Sequence, residues 1–305
     1  MPARPTARRS LLLTLGALTT VGLAAAGCGS DSLSGGGSSS STTTSSAPAV
    51  SADAALTAML PQSVQDSGTL RVGTNAEYAP NEFLEGNTIK GMDIDVMNAV
   101  GAKLGVTVEY SNASFDSLIT GVSGNRYDAA ISSFTINEAR KQQVNMVQYY
   151  NAGTQWATKA GNPEGVDPAD ACGKTVSVQT GTTQSDDDLP AKQEACTAAG
   201  KPAIQVLSFD SQQDATNALV QGRVQAMLAD SPIAAYAVQQ TEGLELVGEI
   251  YDAAPYGIVV AKEQTGTADA ISQALQEIAD DGSYAAALAN WGAEDGAVTE
   301  FPVNP

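Results

Sequence analysis

From Thr69 onward, short apolar runs alternate with segments of helical period, and this alternation constrains the fold more than any other feature of the chain. LRVGT is a strand, DIDVMNAVGAKL carries Ile94, Met97, Val100 and Leu104 near helical spacing, and VTVEY is a strand again. Ser114 is placed to cap a helix through Leu118 and Val122 that Gly124 stops, and the strand DAAISSF follows. Asn137 is placed to cap the next helix. A second series runs TVSVQT, a helix near 184–199, IQVLSF, a helix from Ser211 to Gln221, VQAMLAD, a helix from Pro232, and LELVGEI. The chain closes with the strand YGIVVAK and helices near 267–281 and 283–291. Such alternation predicts an α/β fold with mostly parallel sheets.

Two stretches echo each other. GNRYDAAISS and GRVQAMLADS both run from a helix through Gly and Arg into a strand, and end on a polar pair at its carboxyl end. The echo predicts two similar lobes. Ligands of open α/β sheets sit off the carboxyl ends of strands, which is where Ser132, Ser133 and Asp230 fall.

Charge and composition exclude several function classes. Fifteen Lys and Arg face 34 Asp and Glu, a net charge of −19 over 305 residues. A chain this acidic is repelled by phosphate backbones, so nucleic acid is not an expected partner. Histidine is absent. That removes imidazole-dependent nucleophile activation and the commonest transition-metal ligand. No metal and no cofactor are expected.

Residues 1–27 read as an export signal. Arg4, Arg8 and Arg9 precede an uncharged stretch from Leu11 to Ala26, sixteen residues long. That is short of the roughly 20 needed to span a membrane and suits the apolar region of a signal. AAGC at its end resembles the lipobox of bacterial lipoproteins, in which Cys28 is acylated (bears palmitate) and becomes the mature N-terminus; an ordinary secretory signal is the alternative. Arg8 and Arg9 also resemble a twin-arginine signal, so both export routes stay open. Removing three arginines and no acid leaves 12 − 34 = −22. Residues 29–50 hold nine Ser, three Thr and four Gly in 22 positions. Such a segment cannot repay chain entropy by burial and reads as a flexible tether, with 28–50 linking lipid to globular body.

At this point the residues carry a resemblance. LRVGTNAEYAP, GMDIDVMNAVGAKLG, SFDSLITGVSGNRYDAAISSFTINEAR, GKTVSVQTGTTQ, GRVQAMLADSPIAAY, APYGIVV and ADDGSYAAALANWG match, in order, the polar-amino-acid family of solute-binding proteins that serve ABC importers (family 3 of the extracellular solute-binding proteins). The match runs from about Leu70 to Trp291. It implies a two-lobe periplasmic-binding-protein fold, each lobe a mostly parallel sheet flanked by helices, joined by two hinge strands near 152–156 and 251–257. Lobe 1 would combine 68–154 with 255–305, and lobe 2 would span 155–254. Met92 stands where the family usually has an aromatic, and Asn81 where Phe or a second Pro is common; neither is expected to touch the ligand clamp.

The chemistry of an α-amino acid agrees with that resemblance. Its carboxylate and ammonium need a planar cation and an anion converging on one spot. Arg140 is one of 12 basic residues left after signal removal, and a guanidinium can grip a carboxylate bidentately. The resemblance gives it that role, helped by backbone N–H groups at Thr135 and Thr183; read alone, Arg140 is a solvated helix residue beside Glu138 and Lys141. Asp230 read alone is a helix-capping carboxylate before Ser-Pro. The resemblance makes it the anion for the ammonium, with Ser132 and Ser133 completing the shell. Tyr78 and Phe115 match aromatics that sandwich the ligand side chain, although a core role is the usual fate of an aromatic. Asn75, Gln179 and Gln184 are the expected readers of that side chain, with Thr182 beside them. A neutral Asn75, where members selective for basic ligands often carry an acid, points to an uncharged polar amino acid, while Glu77 and Glu82 are near enough to restore a charge.

Cys172 and Cys196 form an even pair in an exported chain and read as a disulfide. The acidic run 186–188 lacks the alternating ligands of a calcium loop and reads as solvated. The expected protein is a monomeric, non-catalytic lipoprotein on the extracytoplasmic face of the membrane that hands an amino acid to a permease. Two alternatives stand beside it: a dehydratase-like enzyme on the same scaffold, with Glu77 or Glu82 as its acid, and a ligand sensor without a transport partner.

Overall fold

A computed structural model describes residues 50–305. The signal, Cys28 and almost all of the tether lie outside the described residues. The strands are β1 (Thr69–Thr74), β2 (Glu77–Tyr78), β3 (Glu82–Glu85), β4 (Thr88–Lys90), β5 (Thr107–Asn112), β6 (Ala129–Thr135), β7 (Val144–Lys159), β8 (Thr175–Gln179), β9 (Gln205–Phe209), β10 (Ala226–Asp230) and β11 (Leu244–Ala261). Eight of them form one sheet in the order β5-β1-β6-β11-β7-β10-β8-β9, and β2, β3 and β4 form a small second sheet.

The two longest strands organise the molecule. β7 has 16 residues and β11 has 18, and they pair antiparallel along almost their whole length. The first part of β7 (144–152) lies on the last part of β11 (254–261), which carries β6 on its other edge. The last part of β7 (154–159) lies on the first part of β11 (244–251) and carries β10. Register shifts between Val247 and Tyr251 and between Tyr251 and Ala254 interrupt the ladder where one half gives way to the other. Outboard of this pair, β5, β1 and β6 run parallel in one half, and β9, β8 and β10 run parallel in the other. Each half buries apolar clusters of its own. Leu70, Val72, Met97 and Ile271 belong to one half with Phe134 and Leu118, and Trp156, Val176 and Leu189 to the other with Leu219 and Met227. This is the two-lobe α/β architecture that the alternation and the internal echo imply.

Most helices follow the sequence. Met92–Lys103 buries Ile94, Met97 and Val100, and Phe115–Ser123 buries Leu118 and Val122 before Gly124. Asn137 caps Glu138–Lys141 by accepting the N–H of Arg140, but Ser114 makes no capping bond with its side chain. Three features depart from the sequence reading. LELVGEI and YGIVVAK are one continuous strand, because β7 offers both an unbroken partner. The short hinge segment near 152–156 is the middle of a 16-residue strand. The folded body also starts before Thr69: helices Ala54–Thr57 and Gln62–Ser67 send Leu56 and Val64 into the same core as Leu70.

Cys172 and Cys196 are bonded, with Cα atoms 5.5 Å apart, and tie the segment before β8 to the helix Leu189–Ala198. Closing that loop in the unfolded chain is worth about 3 kcal/mol in the chain-entropy model. Reduction, or Cys172→Ser with Cys196→Ser, is expected to lower the urea midpoint by a corresponding amount. Equal midpoints with and without reductant would show that the bond contributes nothing.

Candidate functional site

The carboxyl ends of β6, β8 and β10 converge where the two halves face each other. Tyr78, Phe115, Ser132, Ser133, Thr135 and Arg140 from one half, with Gln179, Thr182, Thr183, Gln184 and Asp230 from the other, line one narrow cavity. Eleven of the twelve residues singled out in the sequence therefore line one cavity. Asn75 lies one layer behind: its Nδ2 donates to the Ala113 carbonyl (3.0 Å), and its Oδ1 accepts from Gln179 Nε2 (2.9 Å) across the cleft.

Arg140 sits on the short helix after β6, and Asn137 turns the chain so that the guanidinium reaches back over the strand end. Nη1 donates to the Thr135 carbonyl (2.8 Å) and Nη2 to the Gly181 carbonyl of the facing half (3.0 Å). The Phe115 and Phe134 rings flank it at 5.5 and 5.7 Å. Asp230 ends β10 at the N-cap position of the helix Ser231–Gln240, yet its side chain caps nothing. Its Oδ2 accepts from Tyr78 Oη (3.0 Å) and Tyr256 Oη (2.7 Å), and its Oδ1 from Gln184 Nε2 (2.7 Å). All of these donors are neutral. Among the described residues neither Arg140 nor Asp230 belongs to an ion pair. Burial lowers the pKa of Arg140 and raises that of Asp230. A buried cation and a buried anion thus face one cavity, each held by uncharged groups.

The serines have a second layer behind them that the sequence reading missed. Glu82 and Asp93 are fully buried. Ser132 Oγ donates to Glu82 Oε1 (2.8 Å), and Asp93 Oδ2 accepts the backbone N–H of Ser133 (2.9 Å) while Asp93 Oδ1 accepts from Tyr149 Oη (2.7 Å). Ser133 adopts a φ of +52°, and β6 bulges against β11 at this point. A bulge re-aims side chains, and here it turns the strand end toward the cleft. Gly91 lets the acids meet: a Cβ there would lie 2.0 Å from the Asn81 carbonyl oxygen. Asn81 is closer to the site than expected, since its Nδ2 donates to Ser133 Oγ (2.8 Å).

Neither candidate acid restores a charge at the cavity wall, because Glu77 is exposed and Glu82 lies behind the serines. The acidic run forms a helical turn, Gln184–Asp188, in which Asp188 is engaged by Tyr251 and Lys192. Tyr256 and Thr154, a partner of Gln184, were also missed. They sit on β7 and β11 with ordinary strand composition, so only pairing register brings them to Asp230.

Residues 70–294 match the model of the bacterial extracellular solute-binding proteins, family 3. The chain belongs to that family. The chain is 34% identical over 251 residues to the arginine-binding protein ArgT of Corynebacterium glutamicum, covering 82% of each chain. An ancestral arginine-binding protein bound to arginine superposes with a TM-score of 0.67 at 36% identity, over 73% of this chain and 98% of that one. An ancestral amino acid-binding protein described as a precursor of cyclohexadienyl dehydratase gives 0.65 at 28% identity, over 75% and 97%. The family description supports an extracytoplasmic place of work, and no helix among the described residues is long and apolar enough to cross a membrane. One expectation is overturned. The uncharged ligand inferred from Asn75 conflicts with relatives named for arginine, and a neutral amide at that position does not exclude a cationic side chain.

The acid pair gives this solute-binding protein a pH signature. Burial pushes Asp93 up to about 6, and burial together with neighbouring Asp93 pushes Glu82 well above the usual carboxylate range. The folded state therefore keeps protons that the unfolded chain releases near pH 4, so this contribution to stability is present below that pH and lost as pH rises through about 6. Asp93→Asn is expected to show a shallower fall in urea midpoint between about pH 4 and 6 than the wild type. Parallel curves would place the titration elsewhere.

Proposed function

We propose that this chain captures a basic amino acid, arginine foremost, in the cleft and delivers it to the permease of an ABC importer. The observation that carries the reading is the pair Arg140 and Asp230, buried without an ionic partner among the described residues on opposite walls of one cavity. A zwitterion supplies both missing charges at once: its carboxylate meets the guanidinium and its ammonium meets the carboxylate. Tyr78 and Phe115 line the same cavity, and aromatic faces suit a planar guanidinium. The names of the relatives and the net charge of −22 after signal removal both favour a cationic solute. No step of this reading requires chemistry on the ligand.

The same proposal assigns 68–154 with 255–305 to one lobe and 155–254 to the other, hinged near 152–156 and 251–257. The ligand then ties the lobes through Arg140 on one and Asp230 on the other. Cys28 would carry the lipid and residues 28–50 the tether, holding the receptor at the membrane beside its permease.

Arginine is expected to raise the melting temperature most in a screen of the twenty amino acids, and to be recovered unchanged. Arg140→Ala and Asp230→Ala should each weaken binding by about 2–5 kcal/mol, roughly 30- to several-thousand-fold, equally for every amino acid that binds. Calorimetric affinity within threefold of wild type for Arg140→Ala would remove it from the clamp.

Membrane fractionation tests the anchor. Cys28→Ser is expected to release the protein into the soluble fraction with ligand affinity intact, and retention of the variant would point to a different attachment.

A further inference from the structure

The hydroxyls of Ser132 and Ser133 have their hydrogen-bond directions set from behind. Ser132 Oγ accepts the backbone N–H of Asn75 (3.0 Å) and gives its one proton to Glu82 Oε1 (2.8 Å). Ser133 Oγ accepts from Asn81 Nδ2 (2.8 Å) and has Glu82 Oε2 and Asp93 Oδ2 at 3.3 Å as receivers of its proton. A hydroxyl has one proton and two lone pairs. With the proton drawn inward and one lone pair taken, what each serine can still offer the cavity is a lone pair. An acceptor suits an ammonium and repels a carboxylate.

From this geometry we infer that Glu82 is a positioning residue for the ligand's α-ammonium: by accepting the Ser132 proton it fixes that hydroxyl as an acceptor facing the cleft. The inference rests on the reading of the cavity as an amino-acid site. Glu82 is itself held in this role by Asp93, with which it shares a carboxyl hydrogen bond. The proton between them stays on Glu82, which donates it to Asp93, because the other contacts of Asp93, Tyr149 Oη and the Ser133 N–H, are both donors and mark it as the accepting carboxylate. The second Glu82 oxygen is thereby left to accept. No cation reaches this pair among the described residues. The arrangement therefore works through hydrogen-bond polarity and not through an ion pair.

Two substitutions separate this role from simple packing. Glu82→Gln keeps an oxygen for Ser132 and offers an N–H to Asp93, so arginine affinity is expected within about threefold of wild type. Glu82→Leu removes the acceptor, frees the Ser132 proton to turn into the cleft, and is expected to weaken arginine about ten- to a hundredfold, the worth of one hydrogen bond to a charged group. The des-amino analogue of arginine, measured by calorimetric competition, should lose nothing in Glu82→Leu. In the background of Ser132→Ala, adding Glu82→Leu should cost little more, because the group it acts through is gone. Equal losses for both ligands, additive losses with Ser132→Ala, or a Glu82→Gln variant as weak as Glu82→Leu would overturn the assignment. Should Glu82→Leu not fold, Ser132→Ala against the two ligands asks the same of the hydroxyl, with an unselective loss counting against the proposal. A wild type that binds no amino acid would instead remove the proposed function itself.

Discussion

Burying two opposite charges on facing walls without pairing them to each other is the condition on which this structure depends. A buried charge is tolerable only when its hydrogen-bonding capacity is met. Arg140 meets that demand with the carbonyls of Thr135 and Gly181 and with two aromatic rings, and Asp230 with Tyr78, Tyr256 and Gln184. Supplying those partners draws in residues from β2, β6, β10, β11 and the turn after β8. The fold around the cleft can be seen as the set of elements needed to deliver them. The polarity of the partners matters as much as their number. Carbonyls around the cation and hydroxyls and amides around the anion stabilise each charge while leaving its full formal value to be met by something else.

The two long strands make this separation possible. Because β7 and β11 traverse both halves, each half keeps its own core, while the cleft between them is crossed by only a few side-chain bonds. Tyr78 to Asp230, Asn75 to Gln179 and Arg140 to Gly181 are such bonds, and Tyr78 also packs on Ala229 and Ile233 of the facing half. The ladder breaks between Val247 and Ala254, where it has the fewest backbone bonds to lose on bending. A ligand bearing both charges would add two charge-assisted links at that same interface. In a two-state picture that is how a solute shifts the balance toward a closed form, since only differential contacts move an equilibrium.

Behind the serines, Glu82 and Asp93 extend the same logic inward. Two acids packed together without a cation are costly unless a proton is shared. Sharing it gives the pair a direction, and that direction passes through Ser132 to the cavity wall. Ser133 carries the conformational cost of the arrangement in its left-handed backbone, a strain of the sort that collects at functional sites.

Much of this was legible in the residues. Period and turn chemistry placed nearly every strand and helix outboard of β7 and β11, and Arg140, Asp230 and the threonines and aromatics that the ordered motifs singled out line one cavity. Local rules suffice where an element's signal is its own spacing of apolar residues. They failed where the signal belonged to a partner: β11 is one strand only because β7 is long enough to pair with all of it, and the small sheet β2-β3-β4 is too short to show a period. They failed again in the inference of an uncharged ligand, since the neutral amide of Asn75 describes one position and the relatives named for arginine point the other way. By itself the sequence determined the architecture and singled out Arg140 and Asp230, because both are written in residue type and spacing. Only the tertiary structure decided that Asn75 stands behind the wall, that Tyr256 serves Asp230, and that Glu82 faces Asp93 behind the serines. Those are questions of register and of which buried polar groups share a proton, and both are settled by contacts between residues far apart in the chain.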